Sequence, residues 1–81
     1  MRDALDQVLE KFRPGFTADG FEVAVADVTD GIAVIRVVHK PDACEECLVP
    51  DELMASMFTT AFRDVSPDVA GVRIDHVRAR Q

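Results

Sequence analysis

The sequence predicts a two-layer α+β domain: a mixed three-stranded sheet with two helices packed on one face, in the order helix, hairpin, helix, strand. Three observations carry this. Two segments repeat apolar residues at helical spacing, Asp30-Gly31 separates two apolar β-rich runs, and a third such run follows the second helical segment. The chain has 81 residues, enough for one domain over 1–81 with a core from about Ala4 to Val77.

The first helix is expected over Asp3 to Phe12, where Leu5, Val8, Leu9 and Phe12 form one stripe. Asp3 is its expected N-cap, with Asp6 in the capping-box position. Pro14-Gly15 is expected to end it, and Thr17-Ala18-Asp19-Gly20 to form a turn. Strands are expected over Phe21 to Val28 and Ile32 to His39, joined by the Asp-Gly hairpin turn. In the second, Ala33, Ile35, Val37 and His39 share one face and Ile32, Val34, Arg36 and Val38 the other. With both faces fairly apolar, this strand reads as central and covered on each side. Lys40 to Val49 reads as a loop. Pro50, Asp51 and Glu52 suit a helix start, and Leu53, Met54, Met57, Phe58, Ala61, Phe62 and Val65 give a wide apolar stripe. Ser66-Pro67-Asp68 ends that helix. A last strand runs from Val72 to Val77, parallel to a hairpin strand by a crossover connection, and Arg78 to Gln81 reads as a frayed tail.

Composition excludes several function classes. Nine Lys+Arg against fifteen Asp+Glu give a formal net charge of -6. The only basic grouping is Arg73, Arg78 and Arg80, so no surface is set up to displace counterions from nucleic acid. No apolar run approaches the roughly 20 residues a membrane span needs, and Met1 to Phe12 lacks a signal-peptide apolar region, which predicts a cytoplasmic protein. No Ser/His/Asp arrangement, phosphate-binding glycine loop or paired-carboxylate site stands out, so no enzyme is expected.

The chemistry-bearing feature is Cys44-Glu45-Glu46-Cys47, the only two cysteines in the chain. Cys-x-x-Cys lets one backbone turn aim two sulfurs at a point, a geometry shared by zinc sites, iron–sulfur clusters and reversible disulfides. A bridge across two residues closes too small a loop to add much chain-entropy stability. Zinc needs more ligands, and His39 and His76 would complete a Cys₂His₂ set with Cys44 and Cys47. A redox pair is favoured by a cysteine at a helix N-terminus, whereas Pro50 puts the expected helix start well after Cys44, and Glu45 and Glu46 raise the thiol pKa. Glu45, Glu46, Asp51 and Glu52 form an acidic rim, and Met54 and Met57 belong to the core stripe.

The run Phe12-Arg13-Pro14-Gly15-Phe16-Thr17-Ala18-Asp19-Gly20-Phe21-Glu22-Val23 resembles the RPxLxxDGGDV stretch of the NifU-type C-terminal domain. A hairpin, a Cys-x-x-Cys loop, an apolar helix and a final strand follow in that family's order. The sequence departs from the family at Phe21, where a second glycine is expected. It departs again around the Cys pair, where Asp42, Glu45, Glu46, Val49 and Pro50 replace small residues.

The resemblance implies a scaffold or carrier that holds a labile iron–sulfur cluster and passes it to apo-proteins. Cys44 and Cys47 are the ligands it implies, with a [4Fe–4S] cluster shared across a homodimer when loaded. Apo iron–sulfur proteins and cluster-assembly proteins are the partners it implies. Asp19 and Gly20 carry over as turn residues only. The mechanism implied is ligand exchange. The alternative is a non-catalytic interaction module on the same fold, whose Cys pair binds zinc or no metal. A third reading is a small dithiol carrier.

Overall fold

A computed structural model describes residues 2–78. The elements are α1 (Arg2–Glu10), α2 (Arg13–Ala18), β1 (Phe21–Thr29), β2 (Ile32–His39), a 3₁₀ turn (Glu45–Cys47), α3 (Asp51–Val65) and β3 (Gly71–Arg78). The strands lie in the order β1-β2-β3, with β1 and β2 antiparallel and β2 and β3 parallel. This is the α+β architecture and mixed sheet that the sequence predicts.

The hairpin turn forms where Asp-Gly places it. Asp30 has φ 54° and Gly31 φ 80°, so both central residues adopt the left-handed conformation that matches the twist of the paired strands. Thr29 then pairs with Ile32. A bulge between Val25 and Asp27, which the alternating pattern does not reveal, breaks the register.

One core holds the layers together. Leu5 and Leu9 of α1 and Met54, Phe58 and Phe62 of α3 pack on Phe21, Val23 and Val25 of β1 and Ala33, Ile35 and Val37 of β2. These sheet residues share one face, so both helices cover the same side. Full burial of each large side chain contributes roughly 1.5–3 kcal/mol. Phe58 organises the aromatic part: Phe12 meets it edge-on at 5.2 Å, and Phe62 stacks on it at 6.0 Å.

Several local expectations are corrected. The first helix stops at Glu10, and a second, short helix covers Arg13–Ala18. Pro14 lies in the first turn of α2, where the missing N–H costs nothing, so it starts a helix where a break was expected. Asp3 sits inside the first turn of α1 and is not its cap, while Asp6 pairs with Arg13 at 3.1 Å. The far face of β2 is covered only in part: Val34 is buried and Val38 half-buried, while Ile32 is 38% exposed there. Leu53 and Val65 lie outside the buried stripe of α3, at 53% and 50% exposure. Arg78 closes β3 in place of opening a frayed tail; residues 79–81, including Arg80, lie outside the described residues.

Gly20 fixes where the fold presents its cysteines. At φ 89°, it brings the turn before β1 so close to the β2–α3 loop that a Cβ there would meet Ala43 Cα at 2.7 Å. Two backbone bonds use this approach: Lys40 N–H donates to the Gly20 carbonyl at 3.1 Å, and Cys44 N–H to that of Asp19 at 2.9 Å.

Candidate functional site

The loop after β2 carries both cysteines at the surface. Cys44 precedes the 3₁₀ turn, Cys47 closes it, and Cys47 N–H donates to the Cys44 carbonyl at 3.0 Å. That turn sets the Cα atoms 5.3 Å apart, and the two sulfurs are joined in a disulfide. Both residues are exposed. A largely apolar groove of about 270 Å³ opens beside Cys47, lined in part by Phe12, Phe16, Phe21, Val49 and Met57. The loop core is held by Ala43, Leu48 and Val49, which pack against the buried cluster.

Beside the sulfurs lies a chain of polar side chains that the sequence leaves unlinked. His39 Nδ1 is 2.6 Å from Glu45 Oε2, His39 Nε2 is 2.8 Å from His76 Nδ1, and His76 Nε2 is 2.7 Å from Asp51 Oδ1. Arg78 adds an ion pair to the other oxygen of Glu45 at 3.0 Å. Four elements meet here: the end of β2, the Cys loop, the start of α3 and the end of β3.

The sheet register explains the pairing of the two histidines. Ala33 lies beside Val72, Ile35 beside Ile74 and Val37 beside His76. His76 therefore continues the inward-facing row of β3, and His39 ends the inward-facing row of β2. His39 is nearly buried at 8% exposure, with the Phe21 ring edge-on to its own at 5.0 Å. The alternation of apolar residues in both strands, combined with a parallel register, carries the signal for this contact.

The two glutamates between the cysteines differ in environment. Glu45 is tied to His39 and Arg78, and its carboxyl is held below the ordinary value of 4.5, chiefly by the His39 hydrogen bond, with the charges of His39 and Arg78 adding to it. Glu46 is exposed, with no hydrogen bond or ion pair from its side chain among the described residues. The negative charge expected beside the sulfurs is thus partly matched on one side of the turn.

The structure brings Cys44 to Cys47 and His39 to His76, but it does not assemble these four into one ligand set. The ring nitrogens of both histidines face each other or a carboxylate. Among the described residues, no three His, Cys, Asp or Glu side chains are grouped to hold a metal ion. Also among the described residues, no helix is long and apolar enough to cross a membrane. Comparison with protein-family models finds no match, and comparison with curated proteins finds none either.

Proposed function

We propose that this chain carries a labile iron–sulfur cluster on Cys44 and Cys47 as cargo for delivery to apo-proteins. The observation that carries the reading is an exposed pair of sulfurs, turned to one point by a short turn between β2 and α3. The chain has no other thiol, so it supplies two soft ligands to a cluster that takes four. A second copy would supply the rest. The resemblance of Phe12 to Val23 to the NifU-type C-terminal domain, and the shared order of elements, supports the same reading.

Loading begins with reduction. Cys44–Cys47 takes two electrons and two protons while two thiols of a reductant such as glutathione become one disulfide. The two free thiols then lose their protons as they bind iron. Release is ligand exchange: a client thiolate bonds to an iron as Cys44 or Cys47 leaves it, so the iron and sulfide count is unchanged. Exposure of both cysteines gives the incoming thiolate its access.

Reconstitution of reduced protein with iron and sulfide tests this. Wild type should take up a cluster, while Cys44→Ser and Cys47→Ser should each fail to hold one. A full cluster on either variant would sink the assignment.

The disulfide itself favours a second reading, a dithiol carrier that exchanges Cys44–Cys47 with client thiols and binds no metal. Rapid exchange with glutathione, without iron uptake, is its mark.

A further inference from the structure

We propose that the groove beside Cys47 and a cleft beside Cys44 together receive a client segment of one pattern: apolar, any, cysteine, any, basic. This names the segment whose thiol exchanges at the pair, and it rests on the exchange with client thiols that both readings above share.

The groove beside Cys47 is largely apolar. Phe12, Phe16, Val49 and Met57 line it half-buried, and the buried ring of Phe21 lines it too. Pockets that enclose a small molecule run from roughly 300 to 1,000 Å³. At about 270 Å³ and open to solvent, this one suits a side chain carried by a larger partner. Gly15 forms part of its wall. Glycine weakens a helix relative to alanine, yet neither backbone nor packing demands it here. Gly15 is not among the glycines with positive φ, and a Cβ there would meet nothing within 4 Å. What its missing side chain leaves is open groove.

Across the sulfurs lies different chemistry. A polar cleft opens beside Cys44, bordered by Thr17, Lys40 and Asp42, and Asp19 borders both cleft and groove. The side chains of Asp19, Asp42 and Glu46 make no hydrogen bond or ion pair among the described residues. Of the cations next to these segments in sequence, Lys40 pairs with Glu22 at 3.9 Å and Arg13 with Asp6 at 3.1 Å, which leaves Lys11. Three free carboxylates around the pair favour a cationic partner and speed its approach. A second copy of this chain, with net charge -6, brings more carboxylates and is disfavoured as the occupant.

In an extended client segment, side chains two places from the cysteine point the same way as its thiol and lie about 6.6 Å to either side. The Cα atoms of Cys44 and Cys47 are 5.3 Å apart. A client sulfur over the bridge therefore sets one such side chain over the groove and the other over the cleft. The step balances as exchange. The client thiolate bonds to Cys47 Sγ, the Cys44–Cys47 bond breaks, and Cys44 leaves as a thiolate that takes up the proton the client lost.

The test uses nonapeptides with one cysteine, a leucine two places to one side and a lysine two places to the other, made in both orders. Rates with the Cys44–Cys47 disulfide are divided by rates with oxidised glutathione, which cancels each thiol's own reactivity. One order should react about three- to tenfold faster than the same peptide with serine for leucine, or with glutamate for lysine. The lysine advantage should fall at about 1 M salt, and the leucine advantage should not. Gly15→Leu, which fills the groove, should remove the leucine advantage. If that variant does not fold, Met57→Gln, which makes the wall polar, should reduce it. Equal rates for all peptides on wild type, or a leucine advantage unchanged by these substitutions, would overturn the inference. A cluster-free wild-type dimer that Gly15→Leu dissociates would seat a second copy in the groove and overturn it too. Failure to take up iron and sulfide would leave these rates intact and count only against cluster carriage.

Discussion

His39 Nε2 lies 2.8 Å from His76 Nδ1, although 37 positions separate them in sequence. The parallel β2–β3 register sets His76 beside Val37 and His39 beside Arg78, so the two rings are diagonal neighbours on one face, and the Cys loop and α3 each supply a carboxylate to cover them. The end of the sheet that presents the cysteines is thus closed by a hydrogen-bonded chain where the rest of that face is closed by apolar packing.

Removing His39 should cost more than removing His76. His39 is nearly buried, and its loss opens a void beside Phe21 while stripping Glu45 and His76 of a partner. We expect His39→Ala to lose about 2–4 kcal/mol and His76→Ala about 0.5–1.5 kcal/mol. Urea unfolding of both variants checks the order.

Gly20→Ala should destabilise by about 1–3 kcal/mol and displace the Cys loop. The new Cβ meets backbone at Ala43, and φ 89° disfavours any side chain. Slower hydrogen exchange is lost first where the approach is made, at the amides of Lys40 and Cys44, which donate to Gly20 and Asp19. Unchanged protection at both amides would contradict this role for Gly20.

Phe58→Ala should cost about 3–5 kcal/mol, a large share of the total stability of so small a domain. Phe58 has no exposed surface and meets Phe12 at the start of α2, Phe16 within α2 and Phe62 of α3, so one substitution loosens the packing of α2 against α3. Thermal unfolding should show a lower midpoint and a less cooperative transition.

The acid limb of stability should report Glu45. Its folded carboxyl is held below the ordinary value of 4.5. The stabilisation it gives is therefore complete above that value and lost as pH falls through the lower, folded one. Wild type should lose stability more steeply than Glu45→Gln on going from about pH 6 to pH 3. Urea midpoints across that range test it; parallel curves would mean that the His39 tie adds nothing to the ionised form.

The layers and strand order were legible because they rest on strong local signals. Asp30-Gly31 specifies its turn, and the spacing of Met54, Phe58 and Phe62 specifies the buried stripe of α3. The second helix was hidden by Pro14, which stops a helix in its interior and starts one in its first turn, a distinction that depends on where the preceding helix ends. The bulge at Val25/Asp27 leaves no mark in an alternating pattern. Both cysteines were legible as a pair. The two histidines stood out as residues, but their true partners, Glu45 and Asp51, emerge only once β3 is laid parallel to β2 and α3 returns over its end.

The most direct test of the central claim is the iron, acid-labile sulfide and zinc content of anaerobically purified, reduced and reconstituted protein, measured with its mass in solution. Cluster carriage on Cys44 and Cys47 predicts about two iron and two sulfide per chain in a dimer, a shared four-iron cluster on four thiolates. Protein that stays free of iron and sulfide, or that instead holds one zinc per monomer, would contradict it.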